Sequence, residues 1–138
     1  MPARDLYHEA FRNALIKDGW TITADPFRLP FGQRTVYVDL GAERIIAAEK
    51  DTVRIAVEIK TFLALSELQA LEAAVGQYAF YRSLLSRVDP ERQLYLAVPQ
   101  AIMDGLLQEP IARPVLEDLA IALVAFDPAR EVITVWKR

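Results

Sequence analysis

The sequence has no cysteine and only one histidine, His8, among its 138 residues. The lack of cysteine excludes a disulfide framework, a zinc–thiolate site and a cysteine nucleophile. A metal site built from several histidines is excluded because the sequence has only one. No apolar run approaches the ~20 residues that span a bilayer, and the N-terminal residues form no apolar signal segment. We therefore expect a cytoplasmic protein without a membrane span.

Positive charge is also in short supply. The chain carries 16 Lys and Arg residues against 19 Asp and Glu residues, for a net charge of −3. A protein that binds nucleic acid through bulk electrostatics needs a dense cationic face, so this composition disfavours that class but allows a local basic groove. Arginines outnumber lysines by 12 to 4, and a guanidinium group is the better fork for a phosphate.

The hydrophobic pattern predicts a single α/β domain over residues 1–138. Helical spacing predicts a helix over residues 5–18, and a capping box at Ser66 predicts another over 66–87. The segment 26–33 holds two prolines and a glycine and is predicted to be a loop. A helical stretch after residue 98 is interrupted by Pro110 and Pro114. Strands are predicted at 20–23, 35–39, 45–49, 53–60, 93–98, 121–126 and 131–136, with a hairpin turn at 50–52.

The most informative stretch is Val57-Glu58-Ile59-Lys60. Side chains two residues apart on a strand share one face, so the Glu58 carboxylate and the Lys60 ammonium lie close together. Oxygen ligands suit Mg²⁺, and a neighbouring lysine can hold a water or a phosphate oxygen, which suits metal-assisted phosphodiester hydrolysis. A plain cross-strand salt bridge on a solvated face is the alternative interpretation.

A second acid upstream would strengthen the metal site. If the hairpin turns as predicted, Glu58 lies opposite about Ile45, which brings Glu43 onto the same face and close to Lys60. Asp39 has the same parity and lies just beyond a bend that Gly41 allows. Either acid could supply the second metal ligand, and either could instead end a strand or pair with a neighbouring basic residue.

Two helices offer further polar groups. Gln77 and Tyr81 are four residues apart on one helical face and could present an amide and a hydroxyl to substrate phosphates, or serve as a polar edge and as packing. Glu9 on the first helix could look into the site or pair with Arg12. His8 borders the apolar stripe of the same helix, which favours a hydrogen-bonded position at the edge of the core. Arg82, Arg87 and Arg92 either extend a phosphate-binding rim or are solvated.

The order of a helix with Glu9, a strand with Asp39, a strand with Glu58-x-Lys60 and a helix with Gln77 and Tyr81 resembles the PD-(D/E)xK nuclease superfamily. More narrowly, the chain is similar to the XisH family, the H-type controlling factors for excision of the fdxN element. The matching segments lie within residues 5–136, at 14–26, 38–43, 47–50, 55–60, 76–77 and 94–99.

This resemblance implies a restriction-endonuclease-like fold with a mixed central sheet, an αβββαβ core and a C-terminal α-β-β extension. It implies that Asp39 and Glu58 bind Mg²⁺ or Mn²⁺, that Lys60 is catalytic, and that Glu9 and Gln77 support them; Glu43 stays an alternative metal ligand. The expected role is in site-specific DNA rearrangement, with DNA, a recombinase and a companion I-type factor as partners.

Three functional hypotheses follow from the sequence. The first is a Mg²⁺-dependent endonuclease-like protein that acts in DNA excision. The second is a non-catalytic scaffold with the nuclease fold that binds the companion factor and the recombinase. The third is an ordinary α/β domain whose charges form unrelated surface pairs. The C-terminal strands could also leave a sheet edge for self-association as a homo-oligomer.

Overall fold

The computed structural model describes residues 7–46, 51–63 and 66–138. In these ranges the chain forms a mixed sheet of six strands and a separate antiparallel pair. The helices are α1 His8–Lys17, α2 Glu67–Val88, α3 Gln100–Asp104 and α4 Arg113–Asp118, with a short 3₁₀ turn at Leu106–Gln108. The strands are β1 Thr21–Ala24, β2 Phe27–Phe31, β3 Arg34–Val38, β4 Leu40–Ile46, β5 Asp51–Ile59, β6 Gln93–Pro99, β7 Leu123–Asp127 and β8 Val132–Lys137.

The large sheet has the strand order β1-β4-β5-β6-β7-β8. Neighbours β5, β6 and β7 run parallel, because a helical connection returns the chain to the same end of the sheet each time. The outer pairs, β1 with β4, β4 with β5 and β7 with β8, are antiparallel. The fold is therefore a mixed α/β arrangement.

Both faces of the central strands are covered, so these strands are apolar almost throughout. One face packs against α2, the β2–β3 hairpin and the α3–α4 region, through residues that include Ala56, Leu71, Tyr78, Leu96 and Val98. The other face packs against α1 through residues that include Phe11, Leu15, Val57, Tyr95 and Phe126. None of the helices in the described ranges is both long and apolar enough to cross a bilayer.

The two principal predicted helices are confirmed. Helix α1 occupies residues 8–17 of the predicted 5–18, of which residues 5 and 6 lie outside the described part of the chain. Helix α2 begins after Ser66, whose Oγ accepts a hydrogen bond from the Gln69 backbone N–H at 3.2 Å, as the capping box predicts. Pro114 stands in the first turn of α4, where its missing N–H leaves no bond unmade.

The predicted loop at 26–33 is wrong. Residues 27–31 form β2, which pairs with β3 across a two-residue turn in which Gly32 adopts a φ of +62°. Pro30 is tolerated because this sheet has only two strands and the proline is exposed. Inward-facing Leu29 is fully buried, and this burial outweighs the breaking tendency of the prolines.

The predicted register of the β4–β5 hairpin is also wrong. Ile45 pairs with Thr52, and Leu40 pairs with Val57, so that Glu58 comes level with the residue just before β4. Residues 47–50, which include the end of the predicted first strand and the start of the predicted turn, lie outside the described residues. The predicted turn centre was about three residues too late, and each residue of such an error moves every pairing partner by two residues.

Candidate active site

The site lies at the C-terminal end of β5. Glu58 has the same strand parity as Ala56, which packs on the α2 side, so the carboxylate lies on that face of the sheet. Glu58 is buried, with 6% of its surface exposed, whereas the side chain of Lys60 is 28% exposed. Lys60 Nζ lies 3.4 Å from Glu58 Oε1. The predicted proximity of these two side chains is thus confirmed.

Asp39 lies beside this pair because of where the chain changes sheets. It stands between β3 of the small sheet and β4 of the large sheet, at a bend. Its Oδ2 accepts a hydrogen bond from the backbone N–H of Ile59 at 3.0 Å. Since Ile59 separates Glu58 from Lys60, this bond holds the Asp39 carboxylate next to both. The third hypothesis, of charges scattered over unrelated surfaces, does not describe this arrangement.

Helix α2 covers the same end of β5 with Tyr81. The pKa of the Tyr81 phenol is raised above its ordinary value of 10.0, chiefly by burial and further by the negative charges of Glu58 and Asp39. Both carboxylates are therefore near enough to the Tyr81 hydroxyl for their charges to act on it. One turn earlier on α2, the Gln77 Oε1 atom is buried and accepts no hydrogen bond from the described residues.

A buried histidine connects α1 to the site. His8 is 3% exposed, and its Nε2 lies 2.9 Å from Asp25 Oδ1. Its Nδ1 faces Asp39, 4.0 Å from Oδ1. Arg12 donates to the other oxygen of Asp25. The predicted buried, hydrogen-bonded position of His8 is confirmed. Its partner Asp25 was not predicted, because this contact joins α1 to the β1–β2 turn, 17 positions away.

The two remaining predicted acids are Glu9 and Glu43. Glu9 is exposed on α1, the residue after buried His8. Glu43 is paired in the backbone register with Arg54 on β5, four residues before Glu58. Four residues of strand span about 13 Å, so the register brings Asp39 to the end of β5 and leaves Glu43 distant from it.

The arginines of the predicted phosphate-binding rim have different roles. Arg82 donates to the backbone carbonyls of Leu119 and Ala120. Arg92 bonds to Asp89 and to the carbonyl of Ile55, which ties the end of α2 to β5. Arg87 is exposed and donates only within its own helix, to Ser83. Of these three, only Arg87 remains available to a ligand.

The number of carboxylates at the site limits which metal ion it can hold. No group of three or more His, Cys, Asp or Glu side chains is arranged to hold a metal ion in the described ranges. Magnesium needs fewer protein ligands, because it keeps several waters and commonly binds one or two carboxylates together with substrate phosphates. Asp39, held by the N–H of Ile59, and Glu58, the residue before Ile59, supply two carboxylates at the end of one strand, which fits such a site.

Comparison with known proteins places the chain in a family. The family model described as XisH protein matches residues 1–134. No curated protein sequence matches the chain. A solved structure of an XisH family protein from Nostoc punctiforme PCC 73102 is 35% identical, with a TM-score of 0.88 over 97% of this chain and 100% of the other.

A second solved structure, an fdxN element excision controlling factor protein from Anabaena variabilis, is 34% identical. Its TM-score is also 0.88, over 98% of this chain and 100% of the other. Both similarities extend over nearly the full length of each chain, as does the match to the family model. The chain belongs to the XisH family.

Proposed function

We propose that this protein acts in the controlled excision of a DNA element and contributes a Mg²⁺-dependent phosphodiester-hydrolysing site. One observation carries the proposal: the buried Glu58 carboxylate, the Lys60 ammonium 3.4 Å from it and the Asp39 carboxylate bonded to Ile59 meet at the end of one strand. The excision role is supported by family membership and by the name of the Anabaena variabilis relative.

Asp39 and Glu58 are the residues that would hold Mg²⁺ or Mn²⁺. The chemistry that such an ion supplies when bound is Lewis-acid polarisation of a phosphate oxygen and activation of a water at neutral pH. Lys60 is placed to orient or deprotonate the attacking water and to stabilise the negative charge that develops on the phosphate. Tyr81 and Gln77 offer a hydroxyl and an amide to the phosphate oxygens. Similarity to the PD-(D/E)xK pattern supports this assignment.

The test is nicking of a supercoiled plasmid in Mg²⁺ or Mn²⁺ by the wild type and by Lys60→Ala. We expect nicking by the wild type and at least a hundredfold loss in the variant, because general acid–base and electrostatic groups each contribute about that much. Lys137→Ala is the matched control, since this exposed lysine lies on β8, three strands from β5. Equal nicking by wild type and Lys60→Ala would eliminate the mechanism.

A second candidate is a non-catalytic scaffold that binds a companion I-type factor and a recombinase. It is favoured by the Lys60–Glu58 contact, because an ammonium beside a buried carboxylate also compensates that charge without a metal. Calorimetry with Mn²⁺ separates the candidates. Heat of binding that disappears in Asp39→Asn supports the hydrolase, whereas no heat, together with co-purification of a partner, supports the scaffold.

A further inference from the structure

A cleft of about 510 Å³ lies between the β2–β3 hairpin and α2. The sequence does not predict this cleft, because the proline-containing segment that forms β2 has the pattern of a loop. Its walls are mostly apolar, and one end carries a guanidinium group. The residues that line it are Phe31, Arg34, Thr35, Val36, Phe80 and Leu84.

Two phenylalanine side chains at this cleft are exposed to solvent. Phe31 is 44% exposed at the end of β2, and Phe80 is 59% exposed on α2. Exposing a large apolar ring to water is unfavourable, and a flat ring at the wall of a cleft is a surface on which another flat ring can stack. The cleft therefore favours a planar, partly apolar ligand.

The two elements that form the cleft differ in charge from the rest of the chain. Neither the hairpin (27–38) nor the last two thirds of α2 (73–88) contains an Asp or a Glu, and together they carry four arginines. The side chain of Arg34 makes no hydrogen bond and no ion pair with the residues that the structure describes. In a protein with a net charge of −3, this segregation indicates an anionic ligand.

The cleft is connected to the candidate active site by a pair of aromatic rings. The Phe80 and Tyr81 rings meet edge to face, with centroids 6.3 Å apart and planes at 82°. Tyr81 is the residue on which the charges of Glu58 and Asp39 act. A ligand chain bound against Phe80 would therefore continue past Tyr81 toward the two carboxylates and Lys60.

We propose that this cleft, which we call the Phe80 cleft, binds unpaired nucleotides of a DNA strand, with bases stacked on Phe80 and Phe31 and a phosphate on Arg34. The proposal rests on the proposed function in taking DNA as the substrate, and it names the substrate class as DNA with a single-stranded segment. Stacking on an aromatic ring accepts any base, but the base must first be unpaired. An intact duplex offers no unpaired base to a narrow aromatic cleft. Its position beside the phosphodiester chemistry favours nucleic acid over an acidic protein segment.

The test measures binding alone. Fluorescence anisotropy with a labelled oligothymidylate of about 15 nucleotides, in EDTA, is compared with a blunt duplex of the same length. We expect the single strand to bind more tightly than the duplex, and Phe80→Ala to weaken single-strand binding by about 5- to 150-fold. Arg34→Ala should reduce the slope of log affinity against log salt by about 0.7, the value for one phosphate contact on single strands.

Tyr37→Ala is the matched control. Tyr37 is 55% exposed on the same hairpin, but inward-facing Val36 and Val38 place it on the opposite face, away from α2. Because Phe80, Arg34 and Tyr37 are all exposed, the three variants should fold, and thermal melts check this. Equal weakening by Tyr37→Ala, or tighter binding of the duplex, would overturn the proposal.

These outcomes are separate from those of the nicking assay. Phe80-dependent binding in EDTA without nicking in Mg²⁺ would refute the hydrolase and keep the cleft assignment. Nicking by a protein whose single-strand binding does not depend on Phe80 would do the reverse. An absence of single-strand binding also overturns the proposal, and it would leave a protein partner as the occupant of the Phe80 cleft.

Discussion

The backbone N–H of Ile59 donates to the Asp39 carboxylate, with N and Oδ2 3.0 Å apart. This bond joins the bend before β4 to the end of β5, and it holds Asp39 at the residue that separates Glu58 from Lys60 in the sequence. A carboxylate with one oxygen fixed by the backbone has lost much of its rotational freedom, which prepares it to bind a cation. The hydrogen bond and the negative charge are separate contributions that two substitutions can distinguish.

We predict that Asp39→Asn keeps stability and loses metal binding, whereas Asp39→Ala loses both. Asparagine retains an oxygen that can accept from Ile59, so its free energy of unfolding should stay within about 0.5 kcal/mol of the wild type. Alanine leaves the N–H without that partner and should cost about 1–2 kcal/mol. Urea unfolding and calorimetry with Mn²⁺ measure the two effects. Wild-type affinity in Asp39→Asn would contradict a role as ligand.

The titration of Tyr81 tests whether the two acids share one space. Burial, Glu58 and Asp39 all raise its pKa, in that order. Glu58→Gln should therefore lower the pKa of Tyr81 while leaving it above 10.0, because burial persists. Tyrosine-labelled NMR titration measures this shift. Tyr78 is the internal control: burial raises its pKa as well, but no carboxylate contributes, so its titration should not move.

Much of this site could be predicted from local pattern. Alternation along β5 places Glu58 and Lys60 on one face whatever the rest of the fold does, since the side-chain period of a strand is two. The Ser66 cap and the helical spacing after it give α2, and hence the common face of Gln77 and Tyr81. These features depend on residues within a few positions of each other.

What the sequence left open depends on pairing across longer distances. The choice between Asp39 and Glu43 depends on the β4–β5 register, which the hydrophobic pattern limits only to alternate residues. The contacts of His8 with Asp25 and Asp39 depend on how α1 packs, and no periodicity encodes that. The Phe80 cleft depends on β2, which the prolines concealed.

The hydroxyl of Tyr78 should stabilise the protein in a pH-dependent way. It donates to the carbonyl of Leu94 at 2.9 Å and accepts from the N–H of Ala122 at 3.1 Å, both buried. Tyr78→Phe removes both bonds and leaves the buried N–H of Ala122 without this acceptor, whereas the carbonyl of Leu94 still accepts from Gln93 Nε2 at 2.8 Å. The variant should cost about 1–3 kcal/mol near neutral pH. Urea denaturation of the two proteins at matched pH values measures the difference.

The sign of the pH dependence follows from the raised pKa of Tyr78 in the folded state. Stability from the neutral phenol is fully present below the unfolded value of about 10 and is lost as pH rises through the folded value. The gap between wild type and Tyr78→Phe should therefore narrow above pH ~10. Tyr37→Phe, at an exposed position, should leave stability unchanged both near neutral pH and above pH ~10. A gap that widens in alkali would contradict this account.

Gly76 lies within α2, and a Cβ built there meets nothing within 4 Å. Gly76→Ala should therefore raise the free energy of unfolding by about 0.5–1 kcal/mol, because alanine loses less backbone entropy in a helix and no contact opposes it.

Gly32→Ala is the contrasting variant: space is open there too, but φ is +62°, so alanine should destabilise the hairpin turn by about 1 kcal/mol. Thermal unfolding of both variants measures the two changes in stability. Loss of stability in both would show that the space around Gly76 is not open as described. If Gly76→Ala is more stable yet binds single-stranded DNA less well, the glycine serves close approach of the strand along the face of α2 that carries Phe80, one turn away.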